Sequence, residues 1–354
     1  MLKLNNVIEW IDERTSLKKF LQFLSNKKVP QHRFSFWYIL GGLTLFFFIT
    51  QVISGVLLLF YYSPTPENAY ESVQFILNQV RHGWLIRSIH IWGAHLMIVC
   101  VLLHMFSVYF LTSYRKPREL MWCSGVILLF LVLGFGFTGY LLPWDNEAFF
   151  GTVIGTEIPK SIPVMGEFVV KILRGGDEVG GETLKRLFAM HVVLLPLLTI
   201  LFITMHITLN QVKGSSVPIG IKMQSEGTPF YPNYIMRDML AWTIGLILLL
   251  SLAIIFPLAL GEKADPLSST PQGIKPEWFF LPLYQTLRFF PSEIAGINGE
   301  LLVNIFVAVF ASLWLIVPFI DFPSQREEKG MLFKVIGYIL IIYIAVTIVI
   351  ATTT

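Results

Sequence analysis

The 354-residue chain is 55% hydrophobic and 14% charged, with a mean hydropathy of +0.67, whereas soluble domains carry about 25% charged residues. Its net charge of +3 gives no reason to expect a nucleic-acid partner, and its two cysteines exclude a disulfide framework. Several apolar runs reach the roughly 20 residues that a bilayer-spanning helix needs. The fold class we predict is an all-α polytopic membrane protein.

Residues 1–24 precede the first apolar run, and their apolar positions recur every three or four residues. This spacing is typical of an amphipathic helix lying on a membrane surface, and a soluble cap helix would show the same spacing. Seven apolar runs follow, and we predict that each crosses the membrane: 35–61, 86–111, 121–142, 187–210, 239–260, 301–320 and 332–351.

Lysine and arginine are concentrated in the N-terminal segment and in the connectors after the second, fourth and sixth spans. These four segments lie on one side if the spans alternate, and the positive-inside rule makes that side cytoplasmic. The N-terminus is therefore predicted to be cytoplasmic in a multi-pass protein. The basic residues are Lys3, Arg14, Lys18, Lys19, Lys27, Lys28, Arg33, Arg115, Lys116, Arg118, Lys213, Lys222, Arg237, Arg326 and Lys329.

The connectors on the opposite side, 62–85, 143–186 and 261–300, are rich in Asp, Glu, Pro and Gly. Two of them are long, and we expect them to fold over the outer surface. The connector 211–238 is the most polar one within the hydrophobic body, which predicts a domain boundary there. The first domain, 1–212, would hold the surface helix and a four-helix bundle, and the second, 213–354, a three-helix domain with a long outer loop.

Four histidines lie inside the second and fourth spans, although imidazole groups are costly in hydrocarbon. His90 and His104 are 14 residues apart, which places them on one helix face about 21 Å apart. His191 and His206 are 15 residues apart and also share a face. Since these two spans run in the same direction, we predict an outer pair, His90 with His191, and an inner pair, His104 with His206.

Two bis-histidine sites at two depths predict two haems, because neutral imidazole is a good axial ligand for haem iron. Zinc is a weaker interpretation, since no Cys or carboxylate lies nearby in the sequence to complete four ligands. A neighbouring helix can also satisfy a buried imidazole, but two matched pairs favour metal ligands. His95 lies about 140° around the helix from His90 and receives no role.

Glycines repeat the same spacing on the first and third spans. Gly41 and Gly55 are 14 residues apart, and so are Gly125 and Gly139. A flat macrocycle between helices needs facing residues without side chains, so we predict that these four glycines line the haem sites. Taken singly, a glycine in a membrane helix usually serves to pack helices together.

With these glycine and histidine pairs, the first four spans resemble cytochrome b, the haem-bearing core of the quinol-oxidising cytochrome bc complexes. The sequences GYLLPWD at 139–145 and PEWFF at 276–280 are similar to two further motifs of that family. The 15-residue spacing on the fourth span and the three spans after it resemble the chloroplast and cyanobacterial branch, in a fused form. Pro196, five residues after His191 as in the family, is expected to bend the fourth span.

The resemblance implies a proton-translocating quinol oxidoreductase subunit of an electron transport chain, in a bacterial cytoplasmic membrane. Quinol would be oxidised at an outer site. One electron would pass to a Rieske iron–sulfur protein, and the other would pass through two b-type haems to an inner quinone site. A c-type cytochrome subunit, membrane lipid and a second copy of the complex in a homodimer are the other implied partners.

Four residues receive roles from the resemblance. Glu277 would accept a quinol proton as a catalytic residue, with Tyr140 in the same site. Arg87 would bind a haem propionate, and Asp238 would serve the inner quinone site. A solvated loop acid, a snorkelling arginine and an ordinary helix-start charge are the alternatives for Glu277, Arg87 and Asp238. Residues that could wall the quinol pocket, or simply pack the loop, are Phe149, Phe150, Gly151, Val153, Ile154 and Pro159.

The chain departs from the family's pattern at several positions. Ile39 stands where the chloroplast-type branch has a cysteine that holds an extra haem, so no covalent haem is expected there. Phe279 replaces the tyrosine of the outer motif, and Ser107 replaces an arginine found in many relatives. The residues that would instead serve the inner haem propionates are Arg115, Lys116 or Arg118.

Two other classes of function stay open at this point. A di-haem membrane anchor of a dehydrogenase or hydrogenase would need the haems and one quinone site, but neither the PEWF motif nor the last three spans. A transporter or scaffold without haem would need intramembrane charges along a path, and the sequence offers few apart from the histidines.

Overall fold

The computed structural model of the protein describes residues 2–218, 220–224, 226–271, 273–321 and 331–353. Within them the chain is predominantly helical. The α-helices are α1 (Leu2–Thr15), α2 (Leu17–Asn26), α3 (Ile39–Leu59), α4 (Ala69–Asn78), α5 (Gly83–Phe110), α6 (Glu119–Tyr140), α7 (Asn146–Glu157), α8 (Met165–Arg174), α9 (Gly181–Ala189), α10 (Leu195–Lys213), α11 (Ile235–Ile255), α12 (Leu281–Phe289), α13 (Gly299–Ile320) and α14 (Met331–Thr353). The strands form two antiparallel pairs, β1 (Lys28–Val29) with β2 (Thr228–Pro229) and β3 (Glu293–Ile294) with β4 (Ile297–Asn298).

Seven helical stretches among the described residues are long and apolar enough to cross a membrane, which confirms the predicted fold class. The fourth and fifth stretches begin earlier than predicted. Their first residues include polar and charged ones, so a prediction from apolar runs alone leaves these residues out of the spans. The fifth also ends at Ile255 rather than at residue 260, because Pro257 disfavours helical geometry at Phe256. The stretches are Ser35–Leu59, Gly83–Phe110, Glu119–Tyr140, Gly181–Lys213, Phe230–Ile255, Gly299–Ile320 and Met331–Thr353.

The fourth span is interrupted by a π-helical turn, Met190–Leu194, between α9 and α10. Pro196 follows this turn at the start of α10. In a regular α-helix its ring would clash with the carbonyl four residues earlier, and its missing N–H would leave that carbonyl unpaired. The wider i→i+5 turn is the form that the expected irregularity takes, and His191 lies within it.

Two helix pairs build the four-helix unit of the first domain. Helix α3 packs along α5, and α6 packs along α10, so each glycine-bearing span lies beside a histidine-bearing span. Between the two histidine levels, a buried apolar cluster fills the centre and includes Phe47, Ile98, Leu129 and Leu249. In a membrane, such a cluster stabilises the bundle through van der Waals packing rather than through exclusion of water.

The long connectors fold together at one end of the bundle, as the sequence predicted for the outer side. Asp145 pairs with Lys263 in an isolated antiparallel bridge between the second and third of these connectors. Arg174, at the end of α8, is buried and donates hydrogen bonds to Thr156 Oγ1 at 2.7 Å and to the Glu157 carboxylate at 2.9 Å. These bonds tie α8 to the end of α7.

The N-terminal segment forms two helices where the sequence predicted one. Ser16, between α1 and α2, has a φ of 53°, in the left-handed region that ends a helix. The Asp12 carboxylate accepts a hydrogen bond from the Lys18 N–H at 2.6 Å and so caps the first turn of α2. Trp10 and Phe23 are exposed, which leaves an apolar surface available for a membrane interface.

The opposite end of the bundle carries the shorter connectors. Strand β1 pairs with β2, so the N-terminal segment is attached to the connector that leads into α11. Two of the basic residues that predicted the orientation, Arg326 and Lys329, lie outside the described residues.

Candidate functional site

The four histidines of α5 and of the fourth span lie in two pairs. The ring centroids of His90 and His191 are 6.3 Å apart, at an interplanar angle of 68°. Those of His104 and His206 are 6.4 Å apart, at 79°. A metal ion on the line between two rings, bonded to one nitrogen of each at about 2 Å, places the ring centroids about 6 Å apart. Both pairs therefore have the spacing of a bis-imidazole metal site.

Each of these rings packs against one of the four glycines on the neighbouring helix. A methyl group on Gly41, Gly55 or Gly125 would lie 3.2, 3.3 and 3.3 Å, respectively, from Cε1 of the facing ring. On Gly139 the distance to Cε1 of His191 would be only 2.7 Å. In the structure these glycines make room for the imidazole rings. Their predicted role in lining a haem macrocycle stays a prediction. The facing rings of Gly41, Gly55, Gly125 and Gly139 are those of His104, His90, His206 and His191.

Three hydroxyl side chains contact histidine rings, and sequence reasoning missed all of them. Each comes directly before one of the glycines, in the dipeptides Ser-Gly at 54–55, Ser-Gly at 124–125 and Thr-Gly at 138–139. The recurrence of a hydroxyl residue directly before a glycine is the sequence signal that could have revealed these contacts. The contacts to ring Nδ1 are Ser54 to His90 at 2.9 Å, Ser124 to His206 at 2.8 Å and Thr138 to His191 at 3.1 Å.

These hydroxyls also decide which ring nitrogen carries the proton. Ser54, Ser124 and Thr138 donate their own protons to backbone carbonyls three or four residues earlier in the same helix. The hydroxyl oxygen therefore accepts a hydrogen bond from the Nδ1–H of the ring. This leaves the Nε2 lone pair available to a metal ion, as in the usual arrangement of a metal-ligating histidine and its hydrogen-bonding partner.

A cavity of about 140 Å³ lies beside the inner pair. Its wall includes His104, His206 and Gly125, together with the polar side chains of Arg118 and Asn210. Within the described ranges, no third His, Cys, Asp or Glu joins a histidine pair to form a metal-binding group. The donor set, the ring spacing and the adjacent cavity fit a bis-imidazole haem better than four-coordinate zinc.

Two of the basic residues that were considered for binding the inner haem propionates have different partners in the structure. Arg115 is buried, and its guanidinium binds the Asp321 carboxylate through two hydrogen bonds of 2.7 and 2.9 Å. Tyr114 donates a third hydrogen bond to the same carboxylate at 2.6 Å. Arg118 instead lines the cavity and donates to the carbonyl of Gly214 at 3.2 Å. Arg115 therefore joins α13 to the α5–α6 connector, and Arg118 is the residue placed beside the inner pair.

Glu277 and Tyr140 lie at the other end of the bundle, near the outer connectors. Burial raises the pKa of Glu277 above its usual range, and the nearby Glu147 carboxylate raises this pKa further. The Tyr140 hydroxyl donates to the backbone carbonyl of Glu147 at 3.2 Å. Arg87 is buried, and its guanidinium donates to the carbonyl of Leu258 at 2.6 Å. An acid with raised proton affinity, an aromatic hydroxyl and an arginine thus lie at the same end.

Some of the residues considered for the quinol pocket have a packing role. Phe149 and Phe150 are each 4% exposed and belong to a buried cluster with Leu141 and Trp144. Ile154 is exposed, whereas the neighbouring residue Val153 only borders the cluster. The two phenylalanines are therefore core residues of the outer loop, as the packing alternative held.

His95, which received no role from the sequence, contacts the outer motif directly. The Trp278 indole N–H donates a hydrogen bond to His95 Nδ1 at 3.1 Å. The neighbouring Phe279 ring lies against Gly136 of α6, where a methyl group would come within 2.8 Å of it. The segment that carries Glu277 is thus fixed to α5 through a tryptophan and to α6 through a phenylalanine. The Trp278–His95 hydrogen bond links positions 183 residues apart, so sequence spacing could not reveal it.

Asp238, assigned to the inner quinone site, lies in the first turn of α11 and faces Gly42 of α3. Its Oδ1 is buried without a hydrogen-bond partner in the described part of the chain. The indole nitrogen of Trp242, one turn further along, is likewise buried and unpaired there. Ile39, where no covalent haem was expected, is the first residue of α3.

The fold and these sites define a class: integral membrane proteins whose helical bundle carries two facing histidine pairs at two depths. Two family models match the chain, Cytochrome b/b6/petB over residues 24–214 and Cytochrome b(C-terminal)/b6/petD over residues 263–354. The chain therefore belongs to the cytochrome b/b6 family, in a form that carries both parts in one polypeptide.

Individual relatives support the same conclusion. The chain is 49% identical to the cytochrome b subunit of a cytochrome bc complex from Chlorobaculum thiosulfatiphilum, over 97% of this chain and 80% of that protein. It is 43% identical to cytochrome b6 of Synechococcus sp. (strain JA-3-3Ab), over 61% of this chain and all of that protein. A solved structure titled hyperthermophilic respiratory Complex III is similar with a TM-score of 0.87 and 29% identity, over 98% of this chain and 91% of that one.

Proposed function

We propose that this chain is the di-haem cytochrome b subunit of a quinol-oxidising bc-type complex. One b-type haem would be held by His90 and His191, and the other by His104 and His206. The observation that carries the proposal is the ring spacing of 6.3 and 6.4 Å, matched in two pairs at two depths of one bundle. When bound, the haems would supply two one-electron carriers stacked across the membrane.

The two domains would divide the work between them. The first, 1–212, would carry both haem sites, and the second, 213–354, would carry Glu277 and help to complete the quinone sites. The first matched family model ends at residue 214 and the second begins at residue 263, which supports a boundary in this region. The full-length match of the first part to a separate cytochrome b6 supports it as well.

At the outer site, Glu277 would take a proton from a quinol hydroxyl. A carboxyl group in water is too weak a base for this task, and burial beside Glu147 raises the pKa of Glu277 toward the working pH. Tyr140 would stand beside it as a wall and a hydrogen-bonding group. Arg87 holds the carbonyl of Leu258 with one guanidinium nitrogen and would offer its remaining N–H groups to a haem propionate.

At the inner site, Arg118 would bind the haem propionates, because it lines the cavity beside the inner pair. Arg115 would not, since Asp321 occupies its guanidinium. Asp238 would serve the inner quinone. Its buried Oδ1, unpaired among the described residues, needs a donor, and a quinol hydroxyl or a bound water would supply one.

The remaining parts of the proposal concern the setting of the subunit. The chain would lie in a bacterial cytoplasmic membrane with its N-terminus on the cytoplasmic side, in contact with membrane lipid. Its partners would be a Rieske iron–sulfur protein, a c-type cytochrome subunit and a second copy of the complex in a homodimer. Electrons taken from quinol at the outer side would return in part to quinone at the inner side, with protons released outside.

The alternative of a di-haem anchor for a dehydrogenase or hydrogenase is less well supported. Such an anchor has no need for the last three spans, yet residues 263–354 match the second family model. It also has no need for the motif at 276–280, which the Trp278–His95 hydrogen bond fixes to the haem-bearing helix α5.

The test is quinol-driven reduction of the b-type absorbance in the complex purified from membranes. We expect quinol to reduce the wild-type protein rapidly and to reduce Glu277→Gln slowly. Glu262→Gln is the matched control, because Glu262 is an exposed carboxyl on the same outer connector. A complex that copurifies with a dehydrogenase subunit rather than an iron–sulfur protein, and is not reduced by quinol, would contradict the proposal.

A further inference from the structure

One of the four histidines differs from the other three in its hydrogen bonding. His90, His191 and His206 each have a hydroxyl oxygen within 3.1 Å of Nδ1. The Nδ1 atom of His104 is buried and has no hydrogen-bond partner among the described residues. The inner pair therefore combines a partnered imidazole with an unpartnered one, whereas both rings of the outer pair are partnered.

The cause of this difference lies in the residue before the glycine. Gly41 faces the His104 ring as closely as Gly55 faces His90, with methyl-to-Cε1 distances of 3.2 and 3.3 Å. Both glycines thus face their ring at Cε1, although at Gly41 the Nε2 atom of His104 also lies within 3.6 Å of the added methyl. The preceding residue is Ser54 in one case and Leu40 in the other, and leucine has no oxygen to offer.

An acceptor at Nδ1–H makes an imidazole a more electron-donating ligand, because it draws the ring toward imidazolate character. A stronger donor stabilises the oxidised metal relative to the reduced metal, so it lowers the reduction potential. Hydrogen bonding to an axial ligand is one of the few means by which a protein tunes haem iron. A buried Nδ1–H without an acceptor has the opposite effect.

We propose that the residue preceding each glycine tunes the haem on its own level: Ser54, Ser124 and Thr138 as acceptors that lower the potential, and Leu40 as the position that withholds an acceptor. The inner haem is thus held by an asymmetric pair of ligands. Its potential is higher than it would be with a hydroxyl at position 40. This inference rests on the proposed function, since it needs a haem at each histidine pair.

The experiment is a redox titration of both b-type haems in the purified complex, followed by visible absorbance, for the wild type and a set of variants. Leu40→Ser supplies a hydroxyl acceptor, and Ser124→Ala removes the hydroxyl acceptor from the partner ring on the same level. We expect these two variants to shift the same haem in opposite directions, downward for Leu40→Ser and upward for Ser124→Ala. Leu40→Ala is the matched control for lost packing and should leave the potential unshifted.

The outer level provides an independent check. Thr138→Val keeps the shape of the side chain and removes the oxygen, so it should raise the potential of the other haem alone. Thr138→Ser retains the oxygen and should restore it. Ser54→Ala should move the same haem as Thr138→Val.

Two results would overturn the inference. The first is that Leu40→Ser, with both haems retained, shifts neither potential further than Leu40→Ala does. The second is that Ser124→Ala and Thr138→Val move the same haem or move none. A wild-type chain that binds fewer than two haems would instead refute the proposed function, so the two failures are distinguishable. If Leu40→Ser does not assemble, the Ser124 and Thr138 variants still decide the question.

Discussion

Replacing Gly139 by alanine should damage the proposed outer haem site far more than the same change at Gly55, although both glycines face the histidine pair of that site. The added methyl would lie 2.7 Å from Cε1 of His191, and ordinary contact begins at 3.4 Å, so the ring or helix α6 has to move by about 0.7 Å. Cε1 is bonded to Nε2, the proposed ligating atom, and metal–ligand distances tolerate only about 0.2 Å. Overpacking of this kind costs about 1–3 kcal/mol, which is about 5- to 150-fold in binding of the haem.

The comparison variants set the scale of this effect. Gly55→Ala places its methyl 3.3 Å from Cε1 of His90, so a movement of about 0.1 Å relieves the contact and haem binding should change little. Gly176→Ala is the control for the substitution itself, because nothing lies within 4 Å of the added methyl.

The assay is haem content per chain after purification, together with the rate at which haem passes to an acceptor protein. We expect Gly139→Ala to release one haem of two, faster than the wild type, while the other haem stays bound. Full retention of both haems by Gly139→Ala would refute the steric reasoning, and so would an equal or larger loss from Gly55→Ala.

Three further predictions follow from single contacts. Asp321→Asn removes the carboxylate that accepts two hydrogen bonds from buried Arg115, and because breaking a buried ion pair costs about 3–5 kcal/mol, the thermal unfolding midpoint in detergent should fall clearly. An unchanged midpoint would contradict the buried pairing. The raised pKa of Glu277 means that its proton-accepting carboxylate form is lost as the pH falls through that pKa, so quinol oxidation should slow toward acidic pH, and Glu277→Gln should abolish this dependence. His95→Leu leaves the Trp278 indole N–H without its acceptor, at a cost of about 1–3 kcal/mol if the indole stays buried. The thermal unfolding midpoint of the complex and its rate of reduction by quinol should therefore both fall, while both haems remain bound.

The lengths of the apolar runs were sufficient to predict the seven spans, and helical periodicity was sufficient to predict the two histidine pairs. An α-helix has a fixed rise and turn per residue, so a 14-residue interval on one helix and a 15-residue interval on another bring four residues to two matched depths. The same arithmetic placed the glycines opposite, and the structure has each of them against a histidine ring. Local patterns thus sufficed wherever the relevant geometry is that of one regular helix.

Features that depend on tertiary contacts or irregular backbone were not predictable in this way. The hydrogen bond from Trp278 to His95 and the ion pair of Arg115 with Asp321 join positions roughly 200 residues apart. The π-helical turn around His191 and the left-handed conformation of Ser16 are departures from regular helix geometry. No periodic pattern encodes them, because periodicity describes only the regular state.

The hydroxyl partners of the histidines lie between these two cases. Each is adjacent in sequence to a glycine that the sequence analysis identified, so its position was known although its contact with a histidine ring was not. A serine or threonine within an apolar span usually bonds to its own helix backbone, and Ser54, Ser124 and Thr138 do so as well. Only the packing of α3 on α5 and of α6 on α10 shows that the same oxygen also accepts from a ring.

The most direct test of the two-haem assignment is a dithionite-minus-oxidised visible spectrum of the purified protein, with haem quantified per chain, for the wild type, His191→Leu and His206→Leu. We predict two b-type haems per wild-type chain and one in each variant, with the two variants losing components of different midpoint potential. A third haem in the wild type would contradict the expectation drawn from Ile39. Absence of haem from an intact wild-type complex, or retention of both haems by either variant, would contradict the assignment of the histidine pairs as haem ligands.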